Sequence, residues 1–78
     1  MQLDSRRVDQ DGFYKELIWR TDVERPEGTT PQAIAVIMRD DEAESARRFY
    51  GIYGIHTVSG PTVSAVKQEL FDLIEAGQ

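Results

Sequence analysis

Seventy-eight residues, 40% hydrophobic and 29% charged, suffice for one core, are too few for two, and are too apolar for a disordered tail. The absence of cysteine excludes disulfides, a single histidine leaves no donor set for structural zinc, and the longest apolar run, residues 33–38, is far short of the ~20 needed to cross a bilayer. The formal net charge is −5, with residues 40–60 and 61–78 each at −2; this opposes general binding to a phosphate backbone and favours steering toward a basic surface. The first ten residues, MQLDSRRVDQ, lack the apolar core of a signal peptide, so the expected compartment is the cytoplasm.

Residues 1–11 offer only Leu3 and Val8 for burial and are expected to form a flexible terminus or a weak edge strand. Asp11-Gly12 supplies turn chemistry. Residues 12–23, GFYKELIWRTDV, then alternate in two sets. Phe13, Lys15, Leu17, Trp19, Thr21 and Val23 form the more apolar set and are expected to meet the core. Tyr14, Glu16, Ile18, Arg20 and Asp22 are left on the outer face, where a small helix lying over Tyr14 and Ile18 would account for their apolar surface equally well.

The polar ERPEGTT stretch, residues 24–30, reads as a hairpin loop. Residues 32–39 are apolar on both faces, the mark of a strand that is central or covered on both sides. Asp40 or Asp41 is suited to cap a following helix, with Glu42 and Glu44 at the positive end of its dipole. Ala43, Ala46, Tyr50 and Tyr53 fall at helical spacing, Glu44 can pair with Arg47 or Arg48, and a stop is expected between Gly51 and Gly54. Residues 55–59 form a short β-branched strand. Pro61 is suited to the first position of a last helix over residues 62–76, whose apolar stripe is Val63, Val66, Leu70, Leu73 and Ile74. The expected fold is a single small α+β domain over residues 12–78, a three-stranded sheet with two helices in the order β-β-α-β-α.

Chemistry-bearing residues are sparse. His56 lies on a strand beside Val58, and no serine has a nucleophile-elbow context. Gly51 to Gly54 lacks the spacing of a phosphate loop, and Asp40, Asp41 and Glu42 lack the alternating donors of a calcium loop. No catalytic residue, metal ligand or cofactor is assigned, and the chain is expected not to be an enzyme. Seven aromatic residues exceed what a domain of this size can bury. Trp19 is followed by Arg20, and Arg47 and Arg48 precede Phe49 and Tyr50, the residue types enriched at binding hot spots.

The expected function is therefore a small acidic protein-binding module, an inhibitor or regulator that occupies a basic or apolar surface of a partner protein, with a partner that handles nucleic acid among the expected kinds. Tyr14, Ile18, Arg20, Arg47, Arg48, Tyr50 and Tyr53 are the expected contacts, with Glu42 and Glu44 as their acidic component. In size and charge alone, the chain is similar to phage-encoded inhibitors of host or defence machinery. The alternative is a nucleic-acid module in which Arg6, Arg7, Arg20, Arg25, Arg39, Arg47 and Arg48 form a stripe with Tyr14, Trp19 and Tyr50. Spare aromatics and an edge strand also raise a homodimer.

Overall fold

A computed structural model describes residues 2–24, 26–29 and 32–77. Arg25, Thr30 and Pro31, to which the loop and arginine-stripe expectations extended, lie outside them. Five strands, β1 (Leu3–Arg7), β2 (Lys15–Arg20), β3 (Ala35–Arg39), β4 (Phe49–Tyr53) and β5 (His56–Gly60), form one antiparallel sheet in chain order, followed by the helix α1 (Val63–Glu75). The sheet has five strands and a single α-helix packs on it, so the expected three-stranded sheet with two helices is corrected.

The correction falls on residues 42–53. They form a single 3₁₀ turn, Ser45–Arg47, and then β4, because Phe49, Gly51 and Tyr53 alternate with Tyr50 and Ile52 at the period of a strand. Two glycines within four residues weaken a helix by about 1 kcal/mol each, whereas aromatic and β-branched side chains suit a pleated surface. Gly54, at φ +60°, turns β4 into β5. The acidic cluster accordingly serves a loop: Asp40 Oδ1 accepts from the Glu42 amide at 3.1 Å, and Asp41 pairs with Arg39 at 2.8 Å. At the same end of the sheet as this loop, Asp11 and Gly12 both take positive φ in the tight turn between Gln10 and Phe13.

Register decides which side chains share a face. Glu16, Ile37, Gly51 and Val58 lie in one row across β2 to β5, and Ile18 and Ala35 are paired in a neighbouring row on that same face. α1 covers this face. Thr62 caps it, its Oγ1 accepting from the Ala65 amide at 3.1 Å, so Pro61 lies just before the cap. Val66, Leu70 and Ile74 enter the core with Tyr14, Ile18, Ala35 and Ile37. The helix approaches β4 because Gly51 has no side chain: a Cβ there would overlap Leu70 Cδ1 and lie 2.9 Å from Val66 Cγ1. The core-facing set of β2 is thus Tyr14, Glu16 and Ile18, the reverse of the assignment made from relative apolarity. The covering helix that their apolar surface allowed is α1.

One charged side chain is buried in this layer. Glu16, 7% exposed, accepts from Tyr14 Oη at 2.5 Å and pairs with the Lys67 ammonium of α1, while the Arg7 guanidinium lies 4.6 Å from the Tyr14 ring centroid. Burial alone would raise the Glu16 pKa, but bonds from Lys67, Tyr14 and Ser5 hold it below the ordinary carboxylate value. Burial, then the bond to Glu16, push the Tyr14 phenol up to about 12.

The signs follow from linkage. The lowered Glu16 contributes stability above its unfolded pKa and loses it as pH falls through the lower folded value. The raised Tyr14 contributes fully below 10 and loses its contribution as pH rises toward about 12. Urea unfolding of the wild type should lose about 2–3 kcal/mol across that alkaline interval, and Tyr14→Phe should flatten it. An alkaline limb equally steep in the variant would place its cause elsewhere.

Candidate functional site

Among the described residues, no helix covers the opposite face of the sheet. Along β2 it presents Lys15, Leu17 and Trp19, along β3 Val36 and Met38, and along β4 Tyr50 and Ile52. Cross-strand pairing joins them into one surface: Leu17 to Val36, Val36 to Ile52 and Met38 to Tyr50. Tyr50 Oη donates to Met38 Sδ at 3.6 Å, which fixes the ring over its neighbour. Ile52 is 38% exposed, and Leu17, Trp19, Val36, Met38 and Tyr50 are half-buried without any covering layer. An antiparallel sheet with one solvated face normally alternates apolar in and polar out; here the central strand is apolar on both sides.

Charge is unevenly placed around this patch. Asp4 and Arg6 of β1 pair with Trp19 and Leu17, and Lys15 pairs with Met38, whereas β5 contributes Thr57 and Ser59. One half of the face is therefore cationic on balance and the other neutral and hydroxylated. A shallow hollow lined by Leu17, Val36, Met38, Ile52 and Gly54 occupies the centre. A second hollow, between Phe13, Met38, Tyr50 and the loop residues Asp40, Asp41 and Glu42, marks one end. Phe13 is 58% exposed there.

The nine expected contacts are not brought together. Tyr14 and Ile18 are buried beneath α1, at 8% and 0% exposure, and present nothing to a partner. Arg20 pairs with Asp22 at 3.1 Å, Arg47 with Glu44 at 3.6 Å, and Arg48 is half-buried after the 3₁₀ turn. Tyr53 packs on the helix side, stacked on His56 with ring centroids 6.3 Å apart. Tyr50 alone lies on the open face, with Glu42 at its rim. The open-face residues outside the expected contact set are Leu17, Val36, Met38 and Ile52, together with Trp19, which the sequence marks as a hot-spot type but assigns to the core. The available signal was the strand-period glycine at Gly51: the face it shares is the one a helix can approach closely, which leaves the other face open.

The arginine stripe is also dispersed. Arg7, Arg20 and Arg39 each form an ion pair with the aspartate two residues on, at 2.9, 3.1 and 2.8 Å. Among the described residues, no three acidic or histidine side chains converge as a metal site, and no helix is long and apolar enough to cross a membrane. Fold and surface together define a two-layer α+β domain whose meander sheet is open on one side. No protein-family model, curated protein or solved structure matches the chain, so the surface must be read from its own chemistry.

Proposed function

We propose that this chain is a non-enzymatic protein-binding module that engages its partner through the open face of the sheet. The observation that supports this reading is the uncovered cross-strand patch of Leu17, Trp19, Val36, Met38, Tyr50 and Ile52. Apolar and aromatic surface of this extent, rimmed by charge, is the composition of an interface core. Trp19 and Tyr50 are of the residue types that dominate binding energies. A role as inhibitor or regulator belongs to the same proposal. So does a cytoplasmic setting, because the chain depends on no disulfide.

The arginines favour protein over nucleic acid. Those on the helix side are neutralised by adjacent aspartates, leaving Arg6 and Lys15, among the described residues, as the cations of the open face, too few for a strongly salt-dependent phosphate contact.

The test is affinity capture from a nuclease-treated extract by the tagged wild type and by the double variant Val36→Lys, Ile52→Lys. A protein retained by the first and lost at least tenfold by the second, with both variants folded by circular dichroism, is the expected result. Retention by both, or recovery that nuclease abolishes, would overturn the proposal.

A further inference from the structure

We infer that the partner on the open face is a second copy of this chain, packed sheet to sheet about a two-fold axis parallel to β3. The inference rests on the reading of that face as a protein-binding surface and names its occupant.

Register carries the argument. A two-fold along the central strand lays β2 of one copy over β4 of the other, and β1 over β5. Val36 and Met38 then meet their own counterparts, while Leu17 of each copy faces Ile52 of the second. Apolar side chains thus fall on apolar side chains across the whole centre. Charge obeys the same symmetry. Lys15 comes over Tyr50 and Arg6 over Thr57, so each cationic half rests on the neutral, hydroxyl-bearing half of its mate and no two cations are superposed. A contact of this kind is isologous and closes at two chains.

The sheets would lie about 10 Å apart with strands within about 30° of each other, the geometry of aligned sandwiches. Both sides of β3 would then be covered, which accounts for its unbroken apolar run. Five strands spaced about 4.8 Å, each about five residues long, outline roughly 400 Å² per copy. Such an area, about 800 Å² for the pair, falls below the standard size of specific interfaces, so the dimer is weak and reversible and its mass depends on concentration. At one rim the loops bearing Asp40, Asp41 and Glu42 from the two copies approach each other. Added salt screens that repulsion and strengthens association, whereas salt would weaken the capture of a basic partner.

The chain contains no cysteine, so single-cysteine variants report contacts cleanly. Sedimentation equilibrium should show the mass rising from one chain toward two as concentration increases to about 1 mM, with Val36→Lys held at one. With a short bis-maleimide, Val36→Cys should join to itself, and Leu17→Cys should join to Ile52→Cys far better than either joins to itself. Glu69→Cys, exposed on α1 and across the sheet from the open face, should give no product. A one-chain mass throughout, with lysate capture still lost in Val36→Lys, would refute self-pairing and leave the binding face standing. A two-chain mass unchanged by Val36→Lys would refute self-pairing on this face, since the contact would then lie on another surface, and the capture experiment alone would then decide whether the open face binds a protein.

Discussion

Gly51→Val should prevent α1 from docking and leave a chain without cooperative unfolding. The wild-type glycine sits in β4 directly beneath Leu70 and Val66, both fully buried, so neither side chain has room to retreat. Overpacking a core commonly costs about 1–3 kcal/mol, and more where nothing can yield; for a domain this small that is a large share of total stability. Gly51→Ala should cost about 1–3 kcal/mol. That sign is informative, because removing a glycine from a regular strand otherwise favours folding slightly. Gly54→Ala provides the contrast: a Cβ there meets nothing within 4 Å, and its cost comes from backbone at φ +60°, about 1 kcal/mol. Urea unfolding of the three variants measures the order, and a Gly51→Ala protein as stable as the wild type would mean that the helix does not seat on β4.

Ile18→Ala should cost about 2–5 kcal/mol, and its neighbour Leu17→Ala less than about 1 kcal/mol. The two side chains are adjacent, similar in size and on the same strand, but Ile18 is fully buried under α1 while Leu17 lies on the open face. The first change leaves a cavity that the helix and sheet cannot close; the second removes only half-buried surface. Thermal or urea unfolding at low protein concentration separates them, since pairing of two chains would add to the apparent cost at Leu17. Equal losses would mean that both faces of β2 are covered within one chain.

Some of this was legible in the residues. The Asp11-Gly12 turn, a strand within residues 12–23, the apolar central strand and the helix after Thr62 each carry a local signal that their environment does not contradict. Residues 43–53 carry two signals. Ala43, Ala46, Tyr50 and Tyr53 fit a helix, Phe49 to Tyr53 fit a strand, and the strand wins because β3 and β5 are there to pair with it on both sides. Tertiary pairing of that kind is invisible to local spacing.

The site was less legible for the same reason. In β2, Tyr14 and Ile18 compete with Leu17 and Trp19 for the core, and relative apolarity does not settle which pair a helix covers. Gly51 settles it, once its residue is known to be in a strand. Assigned to a helix end, the glycine loses that meaning, and the exposed face then falls on the wrong side of β2.

One face of the sheet is core and the other a binding surface, a difference that comparing Val36→Lys with Ile37→Lys exposes. These residues are neighbours in β3 on opposite faces. Each variant would be followed by thermal unfolding and by sedimentation across concentration. Val36→Lys should fold with near wild-type stability at low concentration and remain a single chain when concentrated, while Ile37→Lys should fail to fold because it buries an unpaired charge. A Val36→Lys protein that unfolds as readily as Ile37→Lys, or that binds as the wild type does, would contradict the account.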